Sequence, residues 1–323
     1  MRKRINEINA CFALGTSRAG RAYDGREADL LFDTFLDNGG CVIDTAHVYA
    51  DWMPIERSIS ERCIGDYLQR SGRRDEIFLI TKGGHPELSG KGYNGDDLHA
   101  PRLSRREMRR DLEGSLAKLR TDHIDLYFYH RDDPSIEAGE LIETMETFVR
   151  EGKILAYGCS NWKTDRILKA QEYAREHGYT GFAANQALYN IGTLARDVQW
   201  DDTCVTVNHE MLRMHEEHPE ILLMPYSSVA NGFFHRLLTE GKEELRKAPY
   251  YSLENIQTAE KLRELCTRKQ CTLAQAMLGW FTVQNVRCLP LYATHQPERV
   301  KEALKTADLH FEQEDFSFAK LKY

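Results

Sequence analysis

The chain has 323 residues, 41 % of them apolar and 29 % charged, with a formal net charge of −7. That length suits one α/β barrel of roughly 250 residues with loop insertions. The acidic balance, with no basic stretch, argues against a nucleic-acid partner. No long apolar span is present, and Met1-Arg2-Lys3-Arg4 is not followed by an apolar run, so a soluble, cytoplasmic protein without a membrane role is expected. The eight cysteines are scattered, with no Cys-x-x-Cys. They read as small apolar residues of a reducing compartment, and the spacing of Cys266 and Cys271 does not point to a metal or a disulfide.

In chain order, apolar runs near 11–14, 41–44, 77–81, 124–129, 154–159, 182–186, 221–226 and 286–291 alternate with helical patterns, which predicts eight strands. Between the first two runs, Ala28, Leu31, Phe32, Phe35 and Leu36 form a one-sided stripe that Asn38-Gly39-Gly40 terminates. Ser104-Arg105-Arg106-Glu107 reads as a capping box opening a helix to about Ala117. The segment with His209, His215 and His218 reads as a solvated charged helix, because His215-Glu216-Glu217-His218 lacks the i, i+4 spacing of a zinc helix, and no metal is expected. Pro297 suits the first turn of a last helix.

Strand-helix alternation predicts parallel strands, and eight units favour a closed (β/α)8 TIM barrel over an open sheet. A dinucleotide-binding glycine turn is missing. Gly15 and Gly20 have its outer spacing but Ser17 stands between them, and Gly83-Gly84 runs into His85-Pro86 instead of a helix. The expected organisation is one domain over residues 1–323, with long loops at 83–103 and 227–252 over the C-terminal face, where barrel sites lie.

Four side chains fall at the C-terminal ends of successive predicted strands. They are Asp44 and Tyr49 in Asp44-Thr45-Ala46-His47-Val48-Tyr49, Lys82 in Ile80-Thr81-Lys82, and His130 in Tyr127-Phe128-Tyr129-His130. Each alone reads as packing, a cap or a solvated strand end. Together they make a proton donor: a phenol gives up its proton near neutrality only if an ammonium stabilises the anion and a carboxylate holds that ammonium.

With these motifs, and Gly158-Cys159-Ser160-Asn161-Trp162 after them in the same order, the chain resembles the aldo-keto reductases from about residue 8 to about residue 308. The resemblance implies an NAD(P)-dependent oxidoreductase that interconverts a small carbonyl compound and its alcohol. Tyr49 would be the general acid, tuned by Lys82 and Asp44, and His130 would orient the carbonyl. It also implies a cofactor grip from Ser160, Asn161 and Gln186, an aromatic platform from Tyr226 beside Ser227, and an adenosine-phosphate contact from His295 and Arg299. Ala293, His295 and Ala303 depart from the residues frequent there, so NADP is expected with NAD possible. The resemblance extends to a different class, a non-catalytic nicotinamide-binding regulatory subunit similar to potassium-channel β subunits. His85, Arg131, Asp132 and Asp133 near the mouth suggest a polar, polyhydroxylated substrate such as a sugar. Oligomeric state is left open.

Overall fold

The computed structural model describes residues 5–91, 96–100, 102–195 and 201–319. Eight parallel strands occupy β1 (Ala13–Gly15), β2 (Val42–Asp44), β3 (Phe78–Gly83), β4 (Leu126–Tyr129), β5 (Tyr157–Ser160), β6 (Ala184–Gln186), β7 (Leu222–Leu223) and β8 (Leu291–Tyr292). The ladder order is β7-β6-β5-β4-β3-β2-β1-β8, so each strand pairs with its sequence neighbour while β8 returns to β1, as in a (β/α)8 barrel.

The closing seam explains where the eighth strand departs from its predicted 286–291. Leu223 N–H donates to Arg287 O at 3.4 Å, Leu289 N–H to Leu223 O at 2.9 Å, and Leu291 N–H to Pro225 O at 2.8 Å. Residues 287–291 therefore face β7, and only Leu291–Tyr292 joins the ladder with β1. Pro225 carries no N–H, so at that position the seam keeps only the bond that its carbonyl accepts from Leu291.

The helices are α1 (Gly25–Asp37), α2 (Ile59–Ser71), α3 (Arg105–Leu119), α4 (Ala138–Arg150), α5 (Thr164–Glu176), α6 (His209–Glu217), α7 (Phe233–Glu240), α8 (Leu253–Lys269), α9 (Leu273–Thr282) and α10 (Pro297–Leu304). Local chemistry sets their ends. Asp24 caps α1 by accepting from Gly25 N–H, the Ser104/Glu107 capping box opens α3, and Pro297 stands in the first turn of α10. The 227–252 connection, read as a loop, contains α7, because Phe233, Phe234 and Leu237 make one buried apolar face. In α6 the solvated reading fails at one position: His215 is buried with Met211 and Met214 on the inward stripe.

Period-two alternation separates two cores. Ala13, Val42, Phe78, Ile80, Leu126, Phe128, Ala184, Leu222 and Met224 fill the barrel interior. Leu14, Ile43, Leu79, Tyr127 and Cys159 pack outward against the helices. A Cβ at Gly158 would come within 2.7 Å of the Phe128 ring and 2.5 Å of Ala184 O, so glycine there makes room for that interior ring. Ile5 and Ile8 join the interior cluster, held by Arg287 Nη2, which donates to Ile5 O at 3.4 Å and Ile8 O at 3.0 Å.

Candidate active site

The interior register continues upward into polar side chains. Val42 is followed two residues on by Asp44, Ile80 by Lys82, Phe128 by His130, Ala184 by Gln186 and Met224 by Tyr226. The alternation that fills the core thus delivers five polar groups to the C-terminal mouth, where barrel sites form.

Lys82 is 2 % exposed and Asp44 fully buried. The Lys82 ammonium donates to Asp44 Oδ1 at 2.6 Å, to the Thr45 carbonyl at 2.7 Å and to Tyr49 Oη at 3.1 Å. An ammonium has three hydrogens, and each is taken. Because Tyr49 Oη accepts from Lys82, its own proton points elsewhere. Tyr49 reaches this place on a tight turn in which its N–H bonds Ala46 O at 3.1 Å and Ala50 adopts φ 76°. The other Asp44 oxygen, Oδ2, accepts from Gln186 Nε2 at 2.7 Å.

The electrostatics are a balance. Burial pushes the Tyr49 phenol up, and the Lys82 charge pulls it down without cancelling the rise. Burial would discharge Lys82, but Asp44 and Tyr49 raise its pKa above the ordinary lysine value. Burial also lifts the Asp44 carboxyl, against Lys82 and Gln186. His130 is held well below its usual pKa by burial, then by His85, Arg131 and Lys82, so it is a neutral imidazole. Its ring stands 5.9 Å from that of Tyr49 and 5.1 Å from that of His85. His130 Nδ1 is buried without a hydrogen-bond partner among the described residues.

The residues assigned to a cofactor fall into two groups. Ser160 and Asn161 are buried at the end of β5, with Asn161 Nδ2 donating to Ser160 Oγ at 3.1 Å. Tyr226 Oη donates to Asn161 Oδ1 at 2.7 Å, and its ring rests on the interior cluster. Asn161 and Ser227 both adopt left-handed backbone, φ 62° and 53°, which turns each chain sharply away from its strand end. Gln186 stands beside Ser160 in the ladder and its carbonyl accepts from Asn161 N–H at 3.0 Å, while its side chain turns to Asp44. Arg299 is exposed in the first turn of α10, and His295 is exposed just before its N-cap, Gln296.

A third connection, between β6 and α6, shapes the mouth and has no motif that announces it. Asp201 and Thr203 hold Arg131 at 2.9 Å and 2.7 Å, and Val205 N–H donates to Asn161 Oδ1 at 3.0 Å. Across the mouth, His99 in the loop after β3 meets Asp202 at 3.0 Å. Asp132 is likewise engaged, by Arg166 through two 3.1 Å bonds, and Asp133 accepts from Ser135 Oγ at 2.6 Å. Three of the four mouth residues in the polyhydroxylated-substrate reading are therefore paired within the protein. His85 remains, its Nδ1 bonded to Pro86 O at 2.9 Å and its pKa lowered to about 3 by burial.

Residues 12–320 match the model of the Aldo/keto reductase family. The chain belongs to the aldo/keto reductase family. Among its relatives, the uncharacterized oxidoreductase YrpG of Bacillus subtilis is 28 % identical over 93 % of this chain and 88 % of its own length. Norsolorinic acid reductase stcV of Emericella nidulans is 26 % identical over 88 % of the chain and 69 % of its own. Aryl-alcohol dehydrogenase GME11368 of Pestalotiopsis microspora is 25 % identical over 94 % and 76 %. This aldo/keto reductase is accordingly an NAD(P)-dependent oxidoreductase. Among the described residues, no helix is long and apolar enough to cross a membrane, and no cluster of His, Cys, Asp and Glu could hold a metal ion.

Proposed function

We propose that the protein reduces an aldehyde or ketone to an alcohol, or runs the reverse reaction, with Tyr49 as general acid and base. One observation carries the reading: Lys82 donates all three of its protons, one of them to Tyr49 Oη, which leaves the phenol proton free for a carbonyl oxygen. The nicotinamide cofactor, when bound, supplies or accepts hydride. Ser160, Asn161 and Tyr226 suit its amide edge and ring face, two amide- or hydroxyl-bearing groups beside one aromatic surface. Gln186 joins that grip with whatever hydrogen-bonding capacity Asp44 leaves it.

The proton chemistry belongs to the protein. Tyr49 delivers its proton as the carbonyl oxygen gains charge, and Lys82 stabilises the phenolate left behind. Asp44 keeps Lys82 charged. His130, neutral, donates its single N–H to the same oxygen and fixes its position. For the cofactor's 2′-phosphate, Arg299 is the permanently charged candidate and His295 the weaker one, which supports NADPH as the preferred form with NADH accepted.

For substrate, a polyhydroxylated carbonyl compound has His85 for a polar contact. An aromatic carbonyl compound is favoured by a separate observation, the pairing of Arg131 and Asp132 with Asp201 and Arg166, and by the name of the aryl-alcohol dehydrogenase relative. Turnover of NADPH and NADH against aldoses, keto-sugars, benzaldehydes and aliphatic aldehydes tests both readings. Cofactor binding without turnover of any carbonyl would replace the catalytic reading with that of a regulatory subunit.

A further inference from the structure

Cys266 and Cys271 bracket the C-terminal end of α8. The helix stops because Gln270 takes left-handed backbone, φ 51°, and the Cys271 N–H turns back to the Cys266 carbonyl at 3.1 Å. This six-residue closure brings the side chains of its first and last residues together beside the helix end. Apolar residues ordinarily make that contact. Here both are cysteines, and each thiol shifts the ionisation of the other.

Cys63 and Cys159 are buried, and burial pushes Cys63 up to about 12 and Cys159 well above its ordinary value. Cys266 and Cys271 are both partly exposed. Cys11, Cys41, Cys204 and Cys288 are also partly exposed, but none of them is joined to a second cysteine by a backbone hydrogen bond among the described residues. The neighbouring Cys266 thiol, helped by Lys269 and opposed by burial and Asp315, lowers the Cys271 pKa. Lys269 is held in place by Asp315 at 2.8 Å and by the His310 carbonyl at 3.2 Å.

The geometry points to Cys266 and Cys271 as a reversible redox site that a hydroperoxide converts to an intramolecular disulfide. Cys271 thiolate attacks the peroxide: an S–O bond forms, the O–O bond breaks, the sulfur loses two electrons and water or an alcohol leaves. Cys266 sulfur then attacks the sulfenic sulfur. The S–S bond forms as the S–O bond breaks, and the departing hydroxide takes the Cys266 proton to become water. A dithiol reverses the step by two exchanges. Disulfides require Cα atoms roughly 4.4–6.8 Å apart, and two residues already joined by a 3.1 Å backbone hydrogen bond across a helix end need no new fold to meet it.

The test is hydrogen peroxide treatment of the full-length protein, alkylation of remaining thiols, and a non-reducing tryptic map. Arg268 and Lys269 lie between the two cysteines, so cleavage leaves them on separate peptides joined only by the disulfide. The expected result is that linked species, lost on dithiothreitol treatment, with Cys63 and Cys159 still alkylated. In Cys266→Ser, Cys271 should stop at a sulfenic acid that dimedone traps. In Cys271→Ser, oxidation of Cys266 should slow by about tenfold or more, as expected for a thiol without thiolate character. Cys271 remaining a thiol while other cysteines oxidise, or Cys266 reacting equally fast in Cys271→Ser, overturns the assignment.

Discussion

Gln186 and Asp44 lie 142 positions apart, yet Gln186 Nε2 donates to Asp44 Oδ2 at 2.7 Å inside the barrel mouth. The bond ties β6 to β2 and gives the carboxylate a second partner besides Lys82. Removing a donor from a buried charged acceptor costs roughly 1–3 kcal/mol. Gln186→Ala should therefore lower unfolding free energy by about that amount in urea titrations, and wild-type stability would show the bond to be dispensable. Gln186→Glu separates this role from packing. The new carboxyl can donate to Asp44 only when protonated, so its folded pKa lies above the unfolded value. Its stabilising bond is present at low pH and lost as pH rises through that folded pKa. The deficit relative to wild type should shrink from about pH 8 to about pH 5.

Tyr49→Phe retains the ring and deletes the proton. Turnover should fall by at least about 10²-fold, since general acid catalysis typically contributes 10²–10⁴, while cofactor affinity by fluorescence titration stays within a few-fold. Lys82→Met should be similarly damaging, because it strips the phenol of its stabilising charge and leaves Asp44 buried without its counter-ion. In wild type, burial leaves the Tyr49 pKa raised despite Lys82. Alcohol oxidation, which needs the deprotonated phenol, should therefore rise with pH on an alkaline limb belonging to the coupled Tyr49–Lys82 pair. A flat profile from about pH 6 to 10 with chemistry rate-limiting would remove Tyr49 from the proton step.

Arg299 stands in the first turns of α10 with its side chain exposed. If its guanidinium pairs with the 2′-phosphate, Arg299→Ala should weaken NADPH by about tenfold or more, the scale of one charge-assisted contact, and leave NADH nearly unchanged. Equal losses for both cofactors would assign Arg299 to the shared part of the nucleotide or to the helix itself.

The strand ends were readable because the interior alternation runs straight into the site: Ile80 and Lys82, or Phe128 and His130, share one face by period two alone. The ligands of Lys82 were less readable. Thr45 contributes a backbone carbonyl, which any residue could supply, and Gln186 reaches Asp44 only after the barrel closes. Arg131 and Asp132 looked available for substrate because their partners, Asp201 and Arg166, are 70 and 34 positions away. The 286–291 run predicts the correct layer but a single strand, since nothing local says that residues 287–291 face β7 and that only Leu291, with Tyr292 beyond the run, joins the ladder with β1.

His215 also escaped the sequence, because Glu216 and Glu217 beside it make α6 look solvated. Its Nδ1 donates to Ile221 O at 2.9 Å, so Nε2 is the acceptor for Asn185 Nδ2 at 3.2 Å. The Asn185 amide is oriented by Cys159, whose thiol donates to Asn185 Oδ1 at 3.8 Å. A second proton on the ring would meet that NH2 group in a buried site. Burial accordingly lowers the His215 pKa from 6.5 to about 4. The unfolded chain binds this proton first, so stability falls as pH drops from the unfolded value toward the folded one, by about 3 kcal/mol over the whole window. His47 acts in the opposite direction: against burial, its hydrogen bond to Glu61 and the nearby carboxylates raise its pKa. The comparison must therefore isolate one ring. Gln in place of His215 retains a donor and an acceptor but does not titrate. On moving from about pH 7 to pH 5, the stability of His215→Gln relative to wild type should improve by about 1–2 kcal/mol. A difference that stays constant across that range would show that the buried ring takes its proton without cost.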